Sequence, residues 1–189
     1  MNKSRLVTVM CVVFFSALFI TQVFIPDVAH ATTKKEINAS VAVALERFSK
    51  DVKGANEFLK AAKGVLVMPR VKQAGFIIGA KYGNGALRVD GKSVGYYNMS
   101  ALSGGLQIGA QESNIILCFM DEEALKKFRT SKGWQVGLDG TVALVTVGAG
   151  GSVDTTKLKE PIVGFVFGQE GLMAGVSLEG LKFTKTNPK

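Results

Sequence analysis

The pattern of apolar positions predicts an amphipathic helix after residue 32. Thr33 and Glu36 stand in capping-box spacing, in which each side chain satisfies the other residue's backbone N–H, so a helix is expected to begin there. Apolar residues then recur at helical spacing within an arc of about 100°, the width of one core-facing stripe. The stripe consists of Ile37, Val41, Ala44, Leu45, Phe48 and Val52. Its burial in the protein core is favoured, with insertion into lipid as the alternative.

Glycine and turn residues divide the rest of the chain into short elements. Gly54 interrupts the first helix, and a shorter helix is predicted over 56–63, with Gly64 in the left-handed stop position. From there the pattern is typical of strands. Strands are predicted over 65–68, 75–82, 86–89, 94–98, 106–110, 115–120, 134–138, 142–147, 162–167 and 172–178.

One further helix is predicted near 121–132, within the strand-rich part. Asp121 is its expected N-cap, acidic residues occupy the first turn, and Gly133 is the expected stop. This residue pattern also explains the acidic cluster at 121–123 without a catalytic carboxylate pair. Asp90-Gly91, between two strand patterns, predicts a type I′ hairpin rather than a phosphate-binding loop. Asp139-Gly140 is read as another turn.

The chain contains 22 glycines, and several recur directly after strand-like triplets. An apolar-x-apolar triplet followed by Gly-Ala occurs at 76–80, 106–110 and 145–149. Glycine at such places indicates sharp bending or close backbone approach. The sequence therefore predicts an α+β, mainly β fold with N-terminal helices, built on a curved antiparallel sheet or a small barrel.

The first 31 residues have the three parts of an export signal. Lys3 and Arg5 precede an apolar run over 6–20, and the small-x-small pattern of 29–31 predicts cleavage after Ala31. An uncleaved anchor is disfavoured because the run is short for a bilayer. Lipoprotein processing is disfavoured because Cys11 lies within the apolar run. We expect a signal peptide over 1–31, a single domain over 32–189, and export to the periplasm.

The residue inventory after Ala31 disfavours most enzyme classes. His30 is the only histidine of the chain, so the expected mature protein cannot use Ser-His-Asp or Cys-His catalysis. Cys118 is then the only cysteine, and its apolar neighbours indicate a buried hydrophobic residue rather than a reactive thiol. We expect no enzyme activity, no metal and no cofactor.

Basic residues outnumber acidic ones, 23 to 15, which suits an anionic partner. A solvated helix face is the alternative explanation for any single lysine. Nucleic acid is disfavoured because no stretch interleaves aromatic and basic residues. The candidate lipid-binding residues are Lys34, Lys35, Lys50, Lys53, Lys60, Lys63, Arg70 and Lys72. Since an extended strand rises about 3.3 Å per residue, Lys63 and Arg70 are expected at opposite ends of the first strand.

Four ordered segments, at 62–69, 74–76, 104–111 and 171–180, closely resemble the SYLF domain family, a family of yeast actin-binding and Las17-binding regulators. The resemblance implies a non-enzymatic module that binds phosphoinositides or other anionic lipids. It assigns a basic position to Lys63 and an amphipathic helix to 36–52. The chain departs from the family pattern at 96–100, and at 167–170, where Glu170 argues against a headgroup contact.

The expected function is peripheral binding of anionic phospholipid or phosphoinositide-like headgroups at a membrane surface. Actin binding, which the resemblance also implies for some fungal members, does not suit an exported protein. The alternative is a structural or assembly protein of the cell envelope, whose curved sheet binds other envelope proteins. The sequence leaves the headgroup, the oligomeric state and the sheet topology open.

Overall fold

The computed structural model describes residues 32–75, 78–104, 109–145, 155–170 and 177–189. In these ranges the helices are α1 (Lys34–Asp51), α2 (Ala55–Ala61) and α3 (Glu122–Thr130), with a 3-10 helix at Thr155–Lys159. The strands are β1 (Gly64–Gly75), β2 (Ile78–Val89), β3 (Lys92–Gly104), β4 (Gly109–Phe119), β5 (Trp134–Gln135), β6 (Ala143–Val145), β7 (Ile162–Glu170) and β8 (Lys182–Thr186). None of the described helices is long and apolar enough to cross a bilayer.

The strands form one eight-stranded sheet in the order β5-β8-β3-β2-β1-β4-β7-β6, curled into a half-barrel. The predicted mainly β fold with a curved sheet is therefore confirmed. All neighbouring strands run antiparallel except β6 and β7, which are parallel. The long strands β1 to β4 occupy the middle of the sheet, so their register fixes which side chains share an end or a face.

Helix α1 begins where the capping box predicts and buries its apolar stripe. The Glu36 backbone N–H donates to Thr33 Oγ1 at 3.2 Å, and the Thr33 N–H donates to Glu36 Oε2 at 2.7 Å. Phe48 is fully buried, with its ring centroid 4.8 Å from that of Phe165 and 5.1 Å from that of Phe167. The stripe therefore packs on the sheet, which confirms the favoured prediction of core burial.

A second core covers the opposite face of the sheet, where α3 packs. Phe128 of α3 lies at its centre, with ring centroids 4.9 Å from Phe119, 4.9 Å from Tyr97 and 5.5 Å from Trp134. Because both faces are covered, successive residues of the central strands are buried on alternate sides. Leu66 and Met68 belong to the α3 core, whereas Val65 and Val67 belong to the α1 core.

Several strand boundaries differ from the predicted ones. The predicted strand over 75–82 is confirmed from Ile78 onward, where β2 begins, whereas Gly75 belongs to the end of β1 and residues 76–77 lie outside the described residues. Strand β1 instead continues through Pro69 at an irregularity in its pairing, where Arg70 has a φ of 49°. Strand β8 was not predicted. The predicted segments over 106–110, 142–147 and 172–178 lie partly outside the described residues, as does the glycine motif at 145–149.

Gly64 and Gly133 are not helix stops, contrary to prediction. Helix α2 ends at Ala61 and α3 at Thr130, and both helices are followed by a residue in extended conformation. Gly64 instead begins β1 at a point of close packing, since a Cβ there would lie 2.8 Å from Leu125 Cδ1. The glycine is explained by the missing side chain and not by backbone conformation.

The other local predictions hold. Asp121 caps α3 by accepting the Ala124 N–H at 2.7 Å. Asp90 and Gly91 both have positive φ, 49° and 73°, as a type I′ hairpin requires. Cys118 is fully buried, and burial raises the pKa of its thiol to about 12. The thiol therefore stays protonated at neutral pH, which agrees with the prediction of an inert core residue.

Candidate functional site

A basic groove lies between the two N-terminal helices and the end of the sheet where β1 begins and β2 ends. Its volume is about 480 Å³. Lys60, Lys63 and Arg88 supply its positive charge, and Asp90 is its one acidic residue among the described residues that line it. The side chains of Leu45 and Leu59, among others, supply an apolar wall. The groove thus combines cations and apolar surface, the two contacts that an amphiphilic anion needs.

The backbone fixes the positions of the three cationic residues. Lys60 is in the last turn of α2. The Lys63 N–H donates to the Phe119 carbonyl at 2.8 Å, which ties the start of β1 to the end of β4. Arg88 stands opposite Val65 in the pairing of β1 with β2, and its guanidinium donates to the carbonyl of Gly91 in the adjoining hairpin. The last turn of α2 and the pairing of β1 with β2 and β4 together bring these three side chains to one groove.

The cations of the groove lack acidic partners among the described residues. The ion pairs in that part of the chain join Arg47 to Asp51, Arg70 to Glu112 and Lys127 to Glu123. Lys60 and Lys63 are exposed, and Arg88 is half-buried. An anionic ligand in the groove would therefore meet positive charge that no ion pair compensates.

The structure brings together only two of the predicted lipid-binding residues, Lys60 and Lys63. The others are all exposed but are dispersed over the surface. Lys34 and Lys35 begin α1, Lys50 lies in its last turn, and Lys53 joins the two helices. Lys72 lies in the second half of β1.

The sequence predicted Arg70 at the far end of the first strand, but the residue lies within β1. The strand runs 12 residues, from Gly64 to Gly75, and so continues past this residue. Arg70 Nε lies 3.0 Å from Glu112 Oε1, so its charge is paired.

The side chain of Glu170 lies outside the described residues. The expectation that Glu170 disfavours a headgroup contact therefore stays a prediction.

Sequence reasoning missed Arg88. The hairpin signal at Asp90-Gly91 places Arg88 near the end of β2. Only the pairing of β2 with β1, in which Arg88 stands opposite Val65, brings it to the groove that Lys63 also lines. Nothing local in the sequence specifies that β1 is the second neighbour of β2, beside the hairpin partner β3.

No group of histidine, cysteine and acidic residues that could hold a metal ion occurs among the described residues.

Comparison with known proteins agrees with the resemblance read from the sequence. The Ysc84 family model, described as "Las17-binding protein actin regulator", matches residues 100–188. A relative from Xenopus laevis, "SH3 domain-containing YSC84-like protein 1", is 29% identical over 124 residues, which cover 63% of this chain. Over these residues the chain is similar to the SYLF family. This match covers 37% of the relative's own length.

Similarity to a family of regulators supports a binding module rather than a catalytic one. The family model covers β4 to β8, together with the end of β3. Lys60, Lys63 and Arg88 all lie before residue 100, and so outside the matched range. The family model therefore does not test the three basic residues of the groove.

Proposed function

We propose that this SYLF domain is a non-enzymatic module that binds anionic phospholipid headgroups peripherally, with a headgroup phosphate in the basic groove. The observation that carries the proposal is the convergence of Lys60, Lys63 and Arg88 on one groove without a carboxylate partner among the described residues. The groove volume of about 480 Å³ falls within the range of about 300–1,000 Å³ that is usual for small-ligand sites.

The proposed contacts follow from the chemistry of the lining. Lysine ammonium groups and the Arg88 guanidinium donate charge-assisted hydrogen bonds to phosphate oxygens. Leu45 and Leu59 offer apolar surface to the glycerol and the first methylenes of the lipid. Each basic residue near an anionic surface contributes about 1 kcal/mol, so three supply about 3 kcal/mol. One groove alone therefore gives binding weaker than about 1 mM.

One groove gives only weak binding, and insertion of helix α1 into lipid does not add to that affinity in this proposal. The resemblance implies lipid contact through the amphipathic helix, but Ile37, Val41 and Phe48 are at most 3% exposed. One apolar stripe cannot be buried against the sheet and in lipid at the same time. The proposed mode of binding is therefore electrostatic attachment of a helix that stays folded on the sheet.

The groove proposal is tested by co-sedimentation with vesicles of phosphatidylcholine and phosphatidylglycerol. Lys60→Gln/Lys63→Gln removes two charges and is expected to weaken binding about 30-fold, at about 1 kcal/mol per lysine. Lys35→Gln/Lys72→Gln removes the same charge outside the groove and should bind nearly as the wild type does. Equal losses in the two variants would show that only net charge matters, and the groove would have no specific role.

We further propose that the protein acts outside the cytoplasm, in the periplasm, where it meets a membrane surface. The support is the three-part export signal over 1–31, a segment outside the described residues. Intact-mass measurement of protein from the periplasmic fraction is expected to give a chain beginning at Thr32. A mass that retains residues 1–31, or that carries a diacylglycerol adduct, would contradict export by signal cleavage.

An assembly role in the envelope is the second candidate, favoured by an exposed apolar pair. Leu102 and Tyr82 are 84% and 52% exposed, in the parts of β3 and β2 remote from the groove. Such side chains would suit a protein partner on the sheet. This candidate predicts that Leu102→Ser abolishes capture of an envelope protein while leaving vesicle binding unchanged.

A further inference from the structure

A second basic groove lies against α3, on the other side of the same end of the sheet. Its volume is about 450 Å³. The residues that line it are Glu122, Leu125, Lys126, Arg129, Thr130 and Lys185. Like the groove at Lys60, it presents three basic side chains and one acidic side chain. None of its residues was among those that the sequence singled out for lipid binding.

Two separate elements bring the cations of this second groove together. Lys126 and Arg129 belong to α3, whereas Lys185 belongs to β8 and stands opposite Tyr97 of β3. Burial raises the pKa of the Tyr97 phenol, and the positive charge of nearby Arg129 partly opposes that rise. Basic residues in the last turn of a helix are common because of the helix dipole, but Lys185 has no such explanation.

The cations of the second groove also lack acidic partners among the described residues. The next residue of α3, Lys127, provides the contrast. Its Nζ lies 2.8 Å from Glu123 Oε1, on the side of the helix away from the groove. Lys126, Arg129 and Lys185 are all exposed. Their charge is therefore available to an anion, as it is in the first groove.

The two grooves adjoin where Leu125 of α3 occupies the space beside Gly64. Gly64 lines the first groove, and a Cβ on it would lie 2.8 Å from Leu125 Cδ1, a residue that lines the second. The Lys63 N–H bonds to Phe119 at the end of β4, and α3 begins shortly after that residue. Both grooves therefore flank one end of the sheet, where β1 begins and where β2, β4 and β8 end.

We infer that the two grooves form one membrane-binding face, and that this end of the sheet lies flat on an anionic bilayer with a lipid phosphate in each groove. The inference rests on the proposed function and extends it from one site to two. Six basic and two acidic side chains line the face, so its net positive charge is complementary to the negative charge of an anionic bilayer. Two linked weak sites give much tighter attachment than either alone, because the second contact is intramolecular.

The test compares paired charge removals in the full chain on vesicles of phosphatidylcholine and phosphatidylglycerol. Lys126→Gln/Lys185→Gln is expected to weaken partitioning about 30-fold, as is Lys60→Gln/Lys63→Gln. Because both grooves contact the same bilayer, the fourfold variant is expected to lose about 1,000-fold. Lys126→Arg/Lys185→Arg keeps the charge and should bind as the wild type does, which excludes misfolding as the cause.

Each outcome decides between the two proposals. Wild-type binding by Lys126→Gln/Lys185→Gln, with a loss in Lys60→Gln/Lys63→Gln, would overturn the two-groove face and leave the first groove intact. Loss in neither pair would overturn both proposals. Loss of vesicle binding in Leu102→Ser would place the bilayer at the opposite end of the sheet and overturn the inference. Tighter binding of free glycerol 3-phosphate than of vesicles would show a soluble-anion site instead of a membrane face.

Discussion

Replacing Gly85 with alanine is expected to lower the free energy of unfolding by about 3 kcal/mol or more, leaving little folded protein. A Cβ on Gly85 would lie 2.0 Å from the Val67 carbonyl oxygen and 2.6 Å from Met68 Sδ. The oxygen belongs to the backbone of the central strand β1, so no rotamer change can relieve the clash. The pairing of β1 with β2 shifts directly after Val67, and the missing side chain of Gly85 lets the strands approach there.

Gly133→Ala is the matched control for Gly85→Ala. A Cβ at Gly133 would meet only the end of a flexible side chain, Lys182 Cε at 3.2 Å, as its nearest neighbour. We expect a change in unfolding free energy within about 0.5 kcal/mol. Urea unfolding followed by circular dichroism measures both variants. If Gly133→Ala were the more damaging change, the steric explanation of Gly85 would be wrong.

The elements predicted correctly from sequence are those that depend on local chemistry. The capping box at Thr33, the N-cap at Asp121 and the hairpin at Asp90-Gly91 each involve residues a few positions apart, and each forms as predicted. The predicted role of Gly64 as a helix stop was wrong. A side chain at this position would clash with Leu125 of α3, a residue distant in sequence.

The strand errors have the same physical origin. Pro69 ordinarily argues against a central strand, but β1 absorbs it beside a bulge where Arg70 has positive φ. Strand β8 contains two lysines, and only Phe183 within it is fully buried. Its strand conformation depends on pairing with β3 and β5 rather than on its own hydrophobic pattern.

The candidate site was predictable only in part for the same reason. Lys60 and Lys63 lie close together in sequence, in and just after a helix that the apolar pattern predicted. Arg88 and Lys185 reach their grooves through the pairings β1 with β2 and β3 with β8. The excess of basic over acidic residues predicted an anionic partner. Which charges converge is decided by sheet topology, which the sequence left open.

Phe48→Ala is expected to lower the free energy of unfolding by about 3–5 kcal/mol, the usual cost of deleting a buried phenylalanine ring. Phe48 is fully buried, and its ring packs against Phe165 and Phe167 of β7. The same substitution separates the two possible roles of α1. If the helix stays on the sheet, the folded variant should bind anionic vesicles as tightly as the wild type does.

Val43→Ala is the matched control on the same helix. Val43 is 57% exposed, so its truncation should leave the free energy of unfolding nearly unchanged. Chemical denaturation gives the stability of each variant, and vesicle co-sedimentation at a temperature where both are folded gives the affinity. A Phe48→Ala protein of wild-type stability with tenfold weaker vesicle binding would mean that the helix leaves the sheet for lipid. Attachment would then be hydrophobic, and the basic grooves would serve only to orient the protein at the membrane surface.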